Sequence, residues 1–397
     1  MRAKINIAVF LFALAAALVV GILIPADKES VLQENRIPAE FPELTKEAFF
    51  SGNYSRNFEN YLADNVGFRS FFTAQSSAFT NIKGLDLGLG RILEASKDVG
   101  TGNTGQKKKL LVQKDRIEEV FEFDLKTADQ YIEMLNYYAE NLPEDVSLYS
   151  MLVPTQIEFE RQLYKSIADN QKEAIQYIYD NLDTRIQTVD AYSVIEAHKS
   201  EYVYFRTDHH WTQLGAFYAY NAFLEAKGEP VPPLSEYKRY AYPGFFGTLY
   251  KQAEKPELEP DTIEYFVRGE NLQTNAFGYL DDGSPVDYGG TLYWSPSEGE
   301  EATYKVFLCG DHSFLDIPTP TKNGKTLLII KDSFANAFAP WLIRNYEHVL
   351  LVDPRSYKEG LQTILDQHAP DDVLIMNYAF STTFPDLIQG IRDLYKK

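Results

Sequence analysis

The sequence is nearly free of cysteine: Cys309 is the single one among 397 residues. One thiol forms no internal disulfide and supplies no cysteine cluster for a metal site. Positive charge is also scarce, because 38 Lys and Arg residues stand against 57 Asp and Glu residues and give a formal net charge of −19. A nucleic-acid partner favours a basic face, so the charge balance predicts no nucleic-acid partner and disfavours an anionic membrane surface.

A single long apolar run, at residues 5–24, carries no charged residue. Its length matches the ~20 residues that a membrane-spanning helix needs. Two basic residues precede the run and two acidic residues follow it, which by the positive-inside tendency leaves the remaining chain outside the cytoplasm. We therefore expect a signal-anchor over 1–24 that holds the protein on the cell membrane. Cleavage after Ala26 would instead give a secreted protein.

The chain after this run divides into a stalk, a helical segment and a large domain. Prolines amid charged residues predict a stalk over 25–45, and the spacing of aromatic residues predicts a helical N-terminal segment over 46–109. From 110 to 397, strand and helix patterns alternate, which predicts an α/β domain with a mostly parallel sheet. An insertion rich in Pro, Gly and Tyr, at about 229–325, breaks the alternation and is expected to be irregular or β-rich.

The spacing of apolar residues predicts most strands and helices of the large domain. The predicted strands are 148–153, 185–189, 326–330, 348–353 and 373–378, and the predicted helices are 171–182, 213–226, 335–346, 358–368 and 384–395. Ligands of such sheets bind at the carboxyl ends of strands. Polar residues that directly follow predicted strands are therefore candidate site residues.

Three such residues have the chemistry of a serine nucleophile with its base. Ser333 lies between a predicted strand and a predicted helix, where free N–H groups of the helix favour a developing oxyanion. Asp208 and His210 lie in FRTDHHW, just after another predicted strand end, and provide a base with a carboxylate to orient it. Taken singly, each motif has a structural interpretation. A serine at this position is typical of a helix cap, and an Asp-x-His pair is typical of a local hydrogen bond.

Together these motifs resemble the DHHW proteins, whose name is the run of residues 208–211. The sequence is also similar to the alginate O-acetyltransferases among the SGNH-hydrolase-like enzymes, whose catalytic pair lies in an Asp-x-His-Trp motif. The resemblance continues in IKDSFAN around Ser333, in VDPRSY at 352–357 and in FENYLADNVGFRSFF at 58–72. It implies an SGNH-hydrolase-like three-layer domain with Asp208, His210 and Ser333 as the catalytic triad. Lys331 departs from the pattern, since SGNH hydrolases have glycine there.

Further candidate site residues come from the resemblance, in the case of the oxyanion hole, and otherwise from residue chemistry. SGNH hydrolases complete the oxyanion hole with an asparagine, for which Asn377 is the candidate beside the backbone N–H of Ser333. Arg355 is a candidate for binding a carboxylate or acetyl oxygen, with a structural ion pair as the other interpretation. Aromatic candidates for stacking on sugar rings, each of which is also interpretable as a packing residue, are Trp211, Tyr242 and Phe246.

Two competing motifs rank lower. The run GDHS at 310–313 resembles a nucleophile signature, but prolines follow it and no strand-to-helix frame surrounds it, so Ser313 ranks below Ser333. A metal site that combines the acid and both histidines of DHHW with His312 is disfavoured, because adjacent histidines in an extended segment point to opposite sides. We therefore expect His209 to point away from the site, and we expect no metal or organic cofactor.

The resemblance implies an extracytoplasmic serine-dependent O-acetyltransferase that modifies a cell-envelope or secreted polysaccharide through an acyl-serine intermediate. The acetyl group would be delivered by a membrane-bound O-acyltransferase partner. Two alternatives remain: a carbohydrate acetyl esterase of the same fold, and a non-catalytic polysaccharide-binding or assembly protein.

Overall fold

A computed structural model describes residues 41–42, 44–46, 54–55, 58, 61, 90–95, 108–164, 167–253, 256–269, 276–279, 284–287 and 291–396. The chain forms two compact units that divide between Gly88 and Leu89. The predicted signal-anchor and most of the predicted stalk lie outside the described residues. Within the described ranges, every helix is too short or too polar to cross a bilayer.

The first described strands form a small antiparallel sheet. Its strands are β1 (Arg91–Ala95), β2 (Lys108–Val112) and β3 (Ile117–Glu119). The prediction of a helical segment over 46–109 is therefore wrong at its end, although most of that range lies outside the described residues. Strand β1 forms because it pairs with the apolar strand β2, a non-local contact that local spacing does not reveal.

A mixed sheet of eight strands forms the centre of the second unit. In chain order the strands after β3 are β4 (Ser147–Val153), β5 (Ile186–Val189), β6 (Lys238–Phe245), β7 (Asp261–Val267), β8 (Phe277–Tyr279), β9 (Pro285–Asp287), β10 (Phe314–Pro318), β11 (Thr326–Lys331), β12 (His348–Val352) and β13 (Asp372–Tyr378). The sheet order is β5-β4-β13-β11-β12-β10-β8-β9. The five strands predicted at 148–153, 185–189, 326–330, 348–353 and 373–378 are confirmed and lie together at one side of the sheet, where neighbouring strands run parallel. The strand end predicted just before the DHHW run is wrong, because Tyr204 forms only an isolated bridge there.

The described residues also form nine α-helices, most of which pack on this sheet. They are α1 (Leu125–Asn141), α2 (Gln156–Tyr164), α3 (Gln171–Asp180), α4 (Ala191–Ala197), α5 (Gln213–Ala226), α6 (Thr248–Gln252), α7 (Ala335–Phe338), α8 (Leu361–His368) and α9 (Pro385–Lys396). Helix α5 begins at the Thr212 cap, whose hydroxyl accepts from Gly215 N over 3.3 Å. Strands β11 and β13 are buried along their whole length, because both faces of the sheet are covered there.

The helix predicted over 335–346 is wrong in length. Helix α7 has four residues and continues as a 3₁₀ helix over Ala339–Arg344. Pro340 lies at the junction and has no N–H to donate to a preceding carbonyl, so a regular α-helix does not continue. The helix dipole available to Ser333 is correspondingly smaller than the sequence predicted.

The insertion at 229–325 is β-rich, as predicted, and has two parts. Strands β6 and β7 form a separate antiparallel pair. Strands β8, β9 and β10 instead extend the central sheet in the antiparallel direction, through the pairing of β10 with β12. The central sheet is therefore parallel where the α/β pattern continues and antiparallel where the insertion contributes.

Candidate active site

Asp208 and His210 lie near the tip of a short loop from Tyr204 to Trp211. Tyr204 and Trp211, at the two ends of the loop, pair as an isolated antiparallel bridge. Next to this bridge, Phe205 N donates to the His210 carbonyl over 3.2 Å. The sequence predicted that the pair follows a strand of the sheet, whereas the structure places it within this closed loop. The closure turns the Asp208 carboxylate back onto the imidazole of His210.

Asp208, His210 and Ser333 form one hydrogen-bonded row. Asp208 Oδ1 lies 2.6 Å from His210 Nδ1, and His210 Nε2 lies 2.7 Å from Ser333 Oγ. Asp208 Oδ1 also accepts from the His210 backbone N–H over 3.0 Å. Because a carboxylate only accepts, Nδ1 carries the ring proton and Nε2 is left to accept from the serine hydroxyl. The arrangement is suited to moving a proton from Ser333 to His210.

The turn that carries Ser333 is held by the buried carboxylate of Asp332. Its Oδ1 accepts from Phe334 N over 3.0 Å. Its Oδ2 accepts from Tyr378 N over 2.9 Å and from Ser381 Oγ over 2.8 Å, which ties the turn to the end of β13. We find no hydrogen bond from the Ser333 backbone N–H in the part of the chain that the structure describes. This donor is therefore free to bind a developing oxyanion.

Asn377, the predicted oxyanion donor, is bonded within the core. Its Nδ2 lies 3.3 Å from Asp332 Oδ2, and its Oδ1 accepts from the Tyr131 hydroxyl over 2.9 Å. The side chain has no exposed surface. This geometry favours a positioning role, in which Asn377 holds Asp332, and the oxyanion role of Asn377 stays a prediction.

The insertion holds the second oxygen of Asp208. Asp208 Oδ2 accepts from Thr248 N over 2.8 Å and from Thr248 Oγ1 over 3.2 Å. The chain approaches through Gly247, where an added Cβ atom would lie 2.2 Å from Asp208 Cβ, so only glycine fits. Burial by itself raises the pKa of Asp208, but His210, His209 and the hydrogen bonds outweigh burial and hold that pKa well below the ordinary carboxyl value.

A second buried carboxylate, Asp261, holds the chain just before Asp208. Its Oδ2 accepts from Thr207 N over 2.8 Å and from Thr207 Oγ1 over 2.6 Å. Its Oδ1 accepts from the Tyr202 hydroxyl over 2.6 Å and from Arg206 Nε over 3.2 Å. Sequence reasoning missed Asp261, because no local pattern distinguishes one acid within the insertion.

His209 lies against His210, so the prediction that it points away is wrong. The two ring centroids are 3.8 Å apart and the rings are tilted by 36°. The loop is bent rather than extended, so neighbouring side chains do not alternate between two faces. His209 Nδ1 lies 2.9 Å from Thr248 Oγ1. Burial and the neighbouring His210 lower the pKa of His209 well below its ordinary value, which makes its imidazole neutral.

Tyr304 covers the other side of His210. Its ring lies parallel to the imidazole, with 3.8 Å between centroids and 9° between planes. This contact restricts rotation of the imidazole and places an aromatic face against any positive charge that the ring gains. The sequence contains no signal for this pairing beyond the abundance of tyrosine in the insertion.

Trp211 is fully buried, so the structure does not place it as a platform for sugar rings. Its Nε1 donates to the Phe334 carbonyl over 2.9 Å. Trp211 therefore connects the DHHW loop to the turn of Ser333, which agrees with the packing interpretation.

The other two aromatic candidates are half-buried in the insertion. Tyr242 stacks on Tyr265 with 5.7 Å between centroids, and its hydroxyl donates to Ser295 Oγ over 3.0 Å. Phe246 stacks on Tyr250 with 4.1 Å between centroids. Their contact with a substrate stays a prediction.

Arg355 forms the structural ion pair that the sequence analysis weighed. Its Nε lies 2.8 Å from Asp353 Oδ1 and its Nη2 lies 2.5 Å from Asp353 Oδ2. Lys331 Nζ lies between Asp311, at 3.1 Å, and Asp353, at 3.6 Å. These acids neutralise the buried lysine that stands where SGNH hydrolases have glycine. The Arg355 side chain keeps 23% of its surface exposed, so its substrate role stays a prediction.

The decoy serine, Ser313, lies against β8, where its Oγ donates to the Tyr279 carbonyl over 3.1 Å. Its neighbour Asp311 accepts from Asn336 Nδ2 over 2.8 Å, close to the turn of Ser333. The GDHS loop therefore borders the site through Asp311, and its serine is held at β8.

Asp208, His209 and His210 are the described residues closest to a metal-binding set, with candidate ligand atoms within 4.8 Å of one another. His210 Nδ1 and Asp208 Oδ1 are, however, bonded to each other, and His210 Nε2 is bonded to Ser333. A metal ion would have to break this row, so the donor set fits proton transfer better than metal binding.

The DHHW protein model matches residues 93–352 of the chain, which is more than half of its length. The chain belongs to the DHHW family. A DHHW family protein from Eubacterium siraeum has 29% sequence identity, a TM-score of 0.64, and coverage of 72% of this chain and 95% of its own.

Two structures of Bacillus cereus PatB1 share the fold of this DHHW protein. One has 17% identity, a TM-score of 0.59 and coverage of 71% of this chain and 99% of its own. The other, which contains a sulfonyl adduct, has 19% identity, a TM-score of 0.61 and coverage of 71% and 98%. A search among curated proteins finds none that matches.

Proposed function

We propose that this DHHW protein is an extracytoplasmic serine-dependent O-acetyltransferase that modifies a cell-envelope or secreted polysaccharide. The observation that carries the proposal is the row in which His210 Nε2 lies 2.7 Å from Ser333 Oγ and His210 Nδ1 lies 2.6 Å from Asp208. An imidazole in this position is a general base for the serine, and the ionised carboxylate fixes its tautomer.

In the first step Ser333 Oγ attacks the carbonyl carbon of an acetyl ester or thioester donor. The hydroxyl proton passes to His210 Nε2, and the carbonyl oxygen becomes an oxyanion that the Ser333 backbone N–H binds. The bond to the leaving group then breaks, His210 returns the proton to that group, and an acetyl-serine remains. Between the two proton transfers His210 is a positively charged imidazolium, and the aromatic face of Tyr304 stabilises this charge.

In the second step a sugar hydroxyl attacks the acetyl-serine. His210 Nε2 accepts the hydroxyl proton, a new ester bond forms to the sugar oxygen, and the bond to Ser333 Oγ breaks as His210 protonates it. Water in place of the sugar would give acetate, so the outcome depends on which hydroxyl occupies the site.

The proposed location and partners of the enzyme are based on features of the sequence. The apolar run at 5–24 supports a membrane anchor with the site outside the cytoplasm, and the likeness to alginate O-acetyltransferases supports a polysaccharide acceptor. Acetyl groups outside the cytoplasm need a carrier, for which a membrane-bound O-acyltransferase partner is the proposed source. Candidates for contact with the substrate are Arg355, Tyr242 and Phe246.

The test uses the full chain with a chromogenic acetyl ester, with and without an oligosaccharide acceptor. We expect a burst of chromogen, followed by acetylated oligosaccharide, and Ser333→Ala should lower the burst rate by at least ~10³-fold. The matched control is Ser313→Ala, which should leave the burst unchanged. Release of acetate without transfer would favour an esterase, and the absence of any burst in the unmodified protein would favour a non-catalytic binding protein.

A further inference from the structure

His209 is the most exposed side chain of the Asp-His-His run. Its side chain keeps 16% of its surface exposed, against 2% for Asp208 and 6% for His210. Its ring also lies 6.3 Å from the ring of Phe334, the residue after Ser333, and 6.2 Å from that of Tyr378. His209 therefore lies beside the turn of the nucleophile and keeps part of its side chain exposed.

The tautomer of His209 follows from its partners. Thr248 Oγ1 lies 3.2 Å from Asp208 Oδ2, and because a carboxylate only accepts, the threonine proton points to Asp208. Thr248 Oγ1 is then an acceptor for His209, whose Nδ1 lies 2.9 Å away. His209 Nδ1 also lies 3.7 Å from the negatively charged Asp208 Oδ1, which favours a proton on Nδ1. Nδ1 of this neutral ring carries the proton, and Nε2 has a free lone pair.

The rings of His209 and His210 extend side by side from the same carboxylate oxygen. His210 Nδ1 is 2.6 Å and His209 Nδ1 is 3.7 Å from Asp208 Oδ1, and the ring centroids are 3.8 Å apart. Both Nε2 atoms lie on the sides of the rings away from this oxygen. His210 Nε2 is bonded to Ser333, whereas we find no hydrogen bond to His209 Nε2 among the described residues.

From this geometry we infer that His209 is a substrate-binding residue whose Nε2 accepts a hydrogen bond from a second hydroxyl of the acceptor, next to the hydroxyl that is acetylated. The inference rests on the proposed transfer reaction and names its acceptor class, a vicinal diol such as a sugar ring presents. His210 takes the proton of the reacting hydroxyl, and His209 orients the neighbouring hydroxyl. A simple alcohol has only one hydroxyl proton and cannot donate to both imidazoles at once.

The test compares two acceptors that differ by one hydroxyl, trans-1,2-cyclohexanediol and cyclohexanol, with a chromogenic acetyl ester as donor. The measured quantity is the ratio of acetylated diol to acetylated cyclohexanol formed in competition. This ratio is taken per acyl-enzyme, so it does not depend on how much protein is folded. We expect the unmodified protein to favour the diol about tenfold, the effect of one to two hydrogen bonds.

His209→Asn keeps an amide N–H near the Nδ1 position and removes the Nε2 acceptor. We expect this variant to lose the preference for the diol, a ratio that is measured per acyl-enzyme and so does not depend on any change in the burst rate. His209→Gln, which returns a polar atom near the Nε2 position, should restore part of the preference. The matched control is His198→Asn on the surface, whose ring stacks on Tyr218 and which should behave as the unmodified protein.

The outcomes separate this inference from the proposed function. A normal burst with no diol preference in the unmodified protein, or a preference that survives in His209→Asn, overturns the role of His209 and leaves the transferase intact. Absence of any burst in the unmodified protein refutes the proposed function, and the role of His209 with it.

Discussion

Two buried carboxylates, Asp332 and Asp261, hold the two halves of the site in different ways. Asp332 directly precedes the nucleophile and ties its turn to Tyr378 and Ser381 at the end of β13. Asp261 belongs to the insertion and holds Thr207, the residue before Asp208. The nucleophile is thus positioned by the parallel strands of the central sheet, whereas the acid and base are positioned by a segment outside that repeating pattern.

Because the acid and base are held by the insertion and the nucleophile is not, the insertion is part of the site. Thr248 and Gly247, just beyond β6, contact Asp208 directly, and β7 begins with Asp261. A domain of this kind without the insertion would retain a serine on a rigid turn but would lose the groups that hold its base. The insertion therefore acts as structural support for the acid and base.

Of the substitutions that test this comparison, Asp332→Asn is expected to lower the burst rate most. Asp332→Asn replaces a carboxylate oxygen that faces several donors with an amide that also donates, so the turn of Ser333 should shift. Because a shift of about 1 Å can cost about 100-fold, we expect the burst rate to fall by ~10²-fold. The measurement is stopped-flow release of chromogen. A burst rate within threefold of the unmodified protein would show that the turn does not depend on this carboxylate.

A smaller loss of activity is expected at Asp261. Asp261→Asn weakens the hold on Thr207 but leaves the bonds of Asp208 to His210 and Thr248 in place, so we expect the burst rate to fall about tenfold. The free energy of unfolding should fall by ~2 kcal/mol, since a buried acceptor of several hydrogen bonds is altered. Denaturant titration and the burst assay on the same samples check both values. A loss equal to that of Asp332→Asn would remove the distinction between the two carboxylates.

The smallest expected effect on activity is at Glu118, which lies on β3. This strand contacts the chain before Asp208, because Ile117 N donates to the Arg206 carbonyl over 2.8 Å. Burial, with repulsion from Glu160, raises the pKa of Glu118 to about 8 from 4.5. The folded protein therefore holds a proton that the unfolded chain releases at lower pH. The free energy of unfolding should fall as pH rises from about 4.5 to 8, by ~4 kcal/mol.

Glu118→Gln removes this titration and should flatten that fall while changing the burst rate less than twofold. Denaturant titrations at pH 5 and pH 8 measure the difference. An equal fall in the variant and the unmodified protein would assign the pH dependence to other groups.

The sequence predicted the nucleophile half of the site better than its supports. The apolar run of β11 before Ser333 and the Asp-x-His spacing of Asp208 and His210 are local signals. The structure places these three side chains in one hydrogen-bonded row. The bent loop that brings His209 onto His210 carries no such signal, because its shape depends on the remote residues Asp261 and Thr248.

Two further misses have different origins. The stacking of Tyr304 on His210 joins parts of the chain that are distant in sequence, and no spacing rule selects one tyrosine among many. The predicted helix 335–346 failed for a local reason that was visible in the sequence, the proline at position 340. Apolar periodicity was thus reliable for the core strands, while side-chain contacts made by the insertion required the folded chain.

The central claim is that His210 activates Ser333 to carry an acetyl group. The most direct measurement is mass spectrometry of the full chain, quenched within the burst after mixing with an acetyl ester and then cleaved into peptides. We expect one added acetyl group on the peptide with Ser333, absent in Ser333→Ala and strongly reduced in His210→Ala. An unmodified Ser333 peptide during turnover, or an acetyl group on Ser313 instead, would contradict it.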